Sequence, residues 1–252
     1  MAGSVFSTDG VVLKIRHTGE SDRIVTVLTR DRGVLSAFAK AARRPKSKLN
    51  AGTQSFCFSE LSFSAGRNDS LYITEASVKD VFFDLNRDLV KLALAQYFSQ
   101  LAEELVPPGE CDEEPLRLML NALYFLCADT KAPALIKAVV ELRLCSWAGY
   151  APDLSGCSAC GETDGGEMYL DCAAGVFYCR KCGGEMKGAR LSRAAFDAAA
   201  AVLTGSLKEA FSVHLKPKEI KELSDAAERF ALSQTERGFS TLDFYKNVCI
   251  PS

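Results

Sequence analysis

The spacing of apolar positions divides the chain in two. Val11, Leu13 and Ile15 alternate with Val12, Lys14 and Arg16, the two-residue period of a strand with one buried face. Gly19-Glu20-Ser21-Asp22 supplies turn chemistry, and strand-like runs follow at 23–30, 33–41, 54–64 and 70–78. Gly33 and the stretch Gly66-Arg67-Asn68-Asp69 punctuate them. Five short strands with little helical pattern between them predict a small closed or nearly closed barrel. An OB-fold is the five-stranded solution and an SH3-like barrel competes with it; strand number does not separate the two.

From about residue 81 the period lengthens to that of a helix. Leu85, Leu89, Leu92, Ala93 and Tyr97 mark one apolar stripe, and Pro107-Pro108-Gly109 ends it. Further helices are expected at 114–128 and 133–147, the latter broken by Tyr150-Ala151-Pro152. After a cysteine-bearing segment come two more, at 192–205 with Ser192 as N-cap and at 218–237 with Pro217 in its first turn. The expected class is α+β. A barrel domain occupies residues 1–80, and an α-helical domain occupies 81–252 with a cysteine ribbon inserted at about 155–188.

Composition adds compartment and charge. There is no secretory h-region near the start and no apolar run of membrane length. Ten cysteines in such a chain predict thiols or metal ligands in a reducing cytoplasm, not a disulfide framework. The net charge of −2 conceals +4 over residues 1–80, −5 over 81–156 and −1 thereafter.

The strongest chemical signal is Cys157-Ser-Ala-Cys160, then 18 residues, then Cys179-Arg-Lys-Cys182. Two cysteines three positions apart in a tight turn can face one ion, and two such pairs complete a tetrahedron of thiolates. One structural zinc ion is expected, closed by four protein ligands and with no open position for catalysis. A deaminase would need an H-x-E element, and the two histidines, His17 and His214, are followed by Thr-Gly and Leu-Lys. Gly161 and Gly183-Gly184 follow the two pairs, where a knuckle needs backbone freedom. Cys57, Cys111, Cys127, Cys145, Cys172 and Cys249 are read as bystanders, with buried structural thiols the bland account of them.

The second signal is Lys40, Arg43, Arg44, Lys46 and Lys48, five cations with no acid between them, on the connection after the third strand. Lys14 and Arg16 share a face of the first strand and extend the surface. Such a face can track a phosphate backbone with little sequence preference. Phe38, Phe56 and Phe58 are available on this barrel; core packing is the expected role, and stacking on bases is the alternative that the sequence leaves open. No phosphate loop, dinucleotide fingerprint or nucleophile elbow occurs, and the paired carboxylates Glu103-Glu104 and Asp112-Glu113-Glu114 suit helix ends and solvent. No enzyme active site is expected.

Several motifs together resemble the RecO family of bacterial recombination mediators. They are Gly19-Glu20-Ser21-Asp22-Arg23 with Ile24 to Thr29, and Gly33 to Lys40 leading into Arg43-Arg44-Pro45-Lys46-Ser47. Glu141-Leu-Arg-Leu, Gly149 to Leu154, Cys157-x-x-Cys160-Gly161 and Gly175-Val176-Phe177-Tyr178-Cys179 complete the likeness, which covers roughly residues 5–185. Ala41 departs from it, standing where the family usually has glycine, while all four zinc-site cysteines are kept. The resemblance implies an OB-fold, a helical body and a zinc ribbon. It implies binding of single- and double-stranded DNA and annealing of complementary strands. It also implies cooperation with RecR, contact with single-stranded-DNA-binding protein, and loading of RecA. A competing reading is a zinc-ribbon adaptor without DNA binding, acting through protein contacts in transcription or translation and using the acidic segment 81–156.

Overall fold

The computed structural model describes residues 5–66, 70–109, 112–164, 166–184 and 188–249. Five strands, β1 (Val5–Thr18), β2 (Asp22–Thr29), β3 (Val34–Ala39), β4 (Cys57–Ala65) and β5 (Leu71–Val81), close in the order β1-β2-β3-β5-β4. β4 returns to β1, and β3 runs parallel to β5 while every other pair is antiparallel. This closure decides the alternative left open by strand number: the barrel is an OB-fold. The Gly66–Asp69 turn lies mostly outside the described residues, since 67–69 are not among them.

The simple alternation expected of the first strand is interrupted. The register shifts between Val12 and Lys14, so Val12 and Ile15 both face the barrel core while Lys14 and Arg16 point out. The core holds Val12, Val25, Val27, Ala37, Ala39, Leu61, Phe63 and Ile73. Ala42 and Leu49, from the connection between β3 and β4, are buried with them. β4 starts at Cys57 and not at 54, because Phe56 takes a left-handed φ of 58° as its N–H bonds to the Val12 carbonyl.

The helix expected from residue 81 begins later. β5 runs to Val81, a short 3-10 helix covers Phe83–Arg87, and α1 (Leu89–Leu105) starts after Asp88. The Asp88 carboxylate caps α1 by accepting from the Val90 and Lys91 N–H groups, which sets the boundary. α1 packs on β1, and its C-terminal exit meets the β2–β3 turn. There Gly33, at φ 61°, leaves no room for a Cβ beside the Pro107 carbonyl, and the Gly109 N–H bonds to the Arg32 carbonyl. α2 spans Glu114–Ala128. By packing, the first compact unit extends beyond the barrel strands to residue 127.

The second unit, from residue 128, is built on α3 (Pro133–Trp147), a helix buried on most of its surface, packed against α7 (Pro217–Thr235). Between them come β6 (Asp153–Cys157), β7 (Met168–Asp171), β8 (Val176–Cys179), the helical turn α4 (Arg180–Gly183) and β9 (Ala189–Leu191). The strands form a ribbon in the order β6-β8-β7-β9. α5 (Arg193–Thr204), α6 (Leu207–Phe211) and α8 (Ser240–Val248) complete the unit. Ser192 caps α5 by accepting from the Ala195 N–H, and Pro217 opens α7, both as expected. α6 and α8 were not foreseen. No described helix is long and apolar enough to cross a membrane.

Candidate metal centre and nucleic-acid face

The ribbon brings Cys157, Cys160, Cys179 and Cys182 together. Their sulfurs all lie within 4.8 Å of one another, the one such cluster among the described residues. Cys157 ends β6 and Cys179 ends β8, both buried; Cys160 and Cys182 sit in the following turns, both exposed. The Cys160 and Cys179 sulfurs are 3.8 Å apart. A tetrahedron with metal–sulfur bonds of about 2.3 Å needs sulfurs about 3.8 Å apart, so the four thiols have the spacing of a closed structural metal site.

Local sequence explains the knuckles. The Gly161 N–H bonds to the Cys157 carbonyl and Gly161 takes φ 74°, so the first glycine is required by conformation. Gly183 is required by space instead, since a Cβ there would lie 2.6 Å from Cβ of Tyr178. Burial opposes ionisation of Cys157, but N–H groups of Cys179, Ala159 and Cys160 directed at its sulfur outweigh it and bring the thiol down to about 6. Cys182 moves the other way, pushed up to about 12 by hydrogen bonding to Cys160, Cys179 and Cys157. Thiols so close cannot all lose their protons unless a cation shares the charge.

The ribbon is seated on the helices around it. Phe177 meets Phe196 of α5 edge-on at 4.9 Å, Gln234 of α7 donates to the Cys172 carbonyl, and Arg229 donates to the Gly188 carbonyl. Cys172 lies outside the cluster. Cys57 and Cys145 are buried and Cys127 half-buried, but Cys249 is exposed at the end of α8, so the buried-thiol reading fails for it. Cys111 lies outside the described residues.

The expected cationic residues gather on the first unit. Lys40, Arg43, Arg44, Lys46 and Lys48 all lie on the β3–β4 connection and all are exposed. Successive turns shape it, with the Arg44 N–H bonding to the Ala41 carbonyl, Ser47 N–H to Arg44 and Asn50 N–H to Ser47. Ala41 takes a left-handed φ of 53°, and its N–H bonds to the Asp22 carboxylate at 2.7 Å. Arg43 is drawn to the β1–β2 turn, bonding to the Glu20 carbonyl through its guanidinium and to the Ser21 carbonyl through its N–H. Arg16 is exposed on β1, whereas Lys14 is 3.6 Å from the Glu103 carboxylate. Among the described residues, Arg16, Lys40, Arg43, Arg44, Lys46 and Lys48 form no ion pair.

Sequence reasoning missed Arg23. On β2 it shares the inward parity of Val25 and Val27, and that parity was the available signal. Its buried guanidinium holds the loop from beneath, donating to the Asn50 carbonyl, the Asn50 side chain and the Thr53 hydroxyl at 2.9–3.1 Å. Burial, and then the neighbouring Arg43, lower its pKa. The loop is therefore a fixed platform for its cations.

The acidic residues of 81–156 are largely committed to local partners. Asp88 is a cap, Glu141 is buried, Glu113 pairs with Arg30 and Arg117, and Asp112 accepts from the Glu114 N–H.

Comparison with known proteins agrees with this architecture. Residues 1–82 match the model for the N-terminal part of recombination protein O, and residues 86–243 match the model for its C-terminal part. The chain is 35% identical over 242 residues to the DNA repair protein RecO of Acetivibrio thermocellus, covering 96% of both chains. It is 31% identical over 247 residues to the RecO protein of Symbiobacterium thermophilum, again over 96% of each. Matched by the two family models over nearly its whole length and by these relatives from end to end, the chain belongs to the RecO family of DNA repair proteins.

Proposed function

We propose that this chain is a non-enzymatic mediator of DNA repair and homologous recombination that binds single- and double-stranded DNA and anneals complementary strands. The observation that carries the reading is the platform of Lys40, Arg43, Arg44, Lys46 and Lys48, exposed, free of carboxylate partners among the described residues, and pinned to the barrel by Ala42, Leu49 and Arg23. Fixed cations replace the counterions of a phosphate backbone and reduce the repulsion between two strands held side by side. Lys14 and Arg16 extend this surface from β1. The barrel, residues 1–80, is the nucleic-acid-binding domain in this reading, and residues 81–252 form the helical domain.

The ion at Cys157, Cys160, Cys179 and Cys182 is proposed to be zinc, which suits four thiolates at tetrahedral spacing. It would hold the ribbon together and supply no chemistry. Family membership supports cooperation with RecR and single-stranded-DNA-binding protein, loading of RecA, and a cytoplasmic, nucleoid-associated location.

The test replaces Lys40, Arg43, Arg44 and Lys46 with Ala and follows strand annealing and affinity for single-stranded DNA over a salt series. Annealing should slow and affinity should fall. The slope of log affinity against log salt should shrink by about 0.7 for each phosphate that the variant no longer neutralises. Unchanged annealing with an unchanged slope sinks the assignment of this loop. A parent protein with no DNA affinity at physiological salt favours the protein-adaptor reading instead.

A further inference from the structure

Strand register aligns four side chains in one row on the outside of the barrel. Arg16 of β1 faces Ile24 of β2, Ile24 faces Phe38 of β3, and Phe38 faces Tyr72 of β5. Their neighbours Ile15, Val25, Ala37 and Leu71 pack inward, so this row points outward. The Phe38 and Tyr72 rings are stacked, with centroids 5.5 Å apart and planes 28° from parallel, and both remain partly exposed. The Lys40 ammonium lies 4.9 Å above the Tyr72 ring, which places the first cation of the basic loop at the edge of the aromatic pair. The adjacent outward row, Lys14, Thr26 and Ser36, has no acidic residue of its own, although Lys14 lies 3.6 Å from the Glu103 carboxylate.

A cross-strand aromatic pair can serve the sheet alone. Its setting argues for more, because cations flank it on both sides: Arg16 along the row and Lys40 over the ring. A single strand offers in alternation the two things this face matches, flat base surfaces and charged phosphates. A duplex offers only the phosphates, because its bases are stacked inside.

We propose that Phe38 and Tyr72 form a base-stacking platform for single-stranded nucleic acid, with Lys40 and Arg16 contacting phosphates on either side. The inference rests on the DNA-binding reading of the barrel and adds to it a preference for unpaired bases. In annealing, such a platform would hold a strand with its bases splayed before pairing.

The experiment compares three probes of equal length: a thymidine homopolymer, a strand made wholly of abasic residues, and a duplex. Replacing both rings, Phe38→Leu with Tyr72→Leu, should weaken binding of the homopolymer at least about fivefold. Binding of the abasic strand and the duplex should stay at the parent level, and Tyr72→Phe, which keeps the ring, should bind all three as the parent does. Equal homopolymer binding by parent and double variant overturns the platform. Should the double variant fail to fold, Tyr72→Trp decides. Its indole fluorescence should be quenched by the homopolymer and not by the abasic strand, and equal response to both overturns the proposal. Failure of the wider reading looks different: the parent then binds none of the three probes. A parent sensitive to the Lys40, Arg43, Arg44 and Lys46 replacements but indifferent to removal of the rings keeps the DNA-binding reading and overturns only the platform.

Discussion

Ala41 carries the clearest unfavourable feature of the basic loop. A Cβ in the left-handed region costs about 1–2 kcal/mol, and Ala41 adopts φ 53° next to Lys40 with its N–H fixed by Asp22. The resemblance to the RecO family marked this position as one where glycine is usual, and the backbone supplies the reason. Ala41→Gly should therefore stabilise the protein by about 0.5–1 kcal/mol, the relief of strain less the extra freedom glycine gains in the unfolded chain. A rise of roughly 1–3 °C in the thermal midpoint by calorimetry is expected for a chain of this length. A lowered midpoint would mean that the loop does not hold this conformation in solution. Arg23 works in the opposite sense. A cation at an inward strand position is costly, and it is tolerated because three oxygen acceptors from the loop surround it. The same bonds fix the cations that face solvent.

At the scale of elements, α3 poses the sharpest electrostatic question. Lys137 is 2% exposed and Glu141 0%, with the ammonium 2.9 Å from the Glu141 carboxylate and 3.0 Å from Glu228 of α7. Lys246 of α8 also reaches Glu228, at 2.7 Å, so one network ties three helices. Breaking a buried pair by removing one partner costs about 3–5 kcal/mol, because the other charge is left uncompensated. Lys137→Met should lower the urea midpoint accordingly, and adding Glu141→Leu should recover most of the loss. A single variant as stable as the parent would show that the network is dispensable. Burial pushes the Glu228 carboxyl up, but Lys137 and Lys246 outweigh it and hold it below the usual range. Its stabilisation is therefore present above the ordinary glutamate value of about 4.3 and lost as pH falls through the depressed one. The elements most legible in the sequence were those long enough to show a period: the five strands, the helices at 114–128 and 133–147, and the cysteine ribbon, whose spacing is its own signature. α6, of five residues, and α8, of nine, are too short for a period to emerge. The start of α1 was misplaced because a single capping carboxylate, Asp88, outweighs an apolar stripe that runs on from β5. Arg23 and Tyr72 were not recognised because their roles depend on which barrel face they occupy: the unbroken parity of β2 marks Arg23 as inward but does not name its partners, and a register shift between β4 and β5 beside Ile73 disturbs the alternation around Tyr72.

For the molecule as a whole, the exposed cations of the basic loop belong to one compact unit and the four-cysteine cluster to the other. Structural four-ligand sites hold their ion with about 10–16 kcal/mol in small peptides, comparable to the whole stability of a domain at about 5–15 kcal/mol. If the four cysteines hold the proposed zinc, removing it with a chelator, or changing Cys157 and Cys179 to Ser, should therefore open the ribbon and not merely loosen it. The ribbon's contacts say where the damage should spread. Phe177 against Phe196 leads to α5, and the bonds from Gln234 and Arg229 lead to α7. Amide hydrogen exchange should thus rise across β6 to β9 and into α5 and α7, while β1 to β5 keep their protection. Under the same conditions, affinity for single-stranded DNA should persist as long as the barrel remains protected. Acid should act as the chelator does, because the sulfurs bind the ion only as thiolates and protons compete for them. Loss of DNA binding while the barrel strands stay protected would place the ribbon itself on the DNA surface, and the division of labour between barrel and ribbon would have to be redrawn.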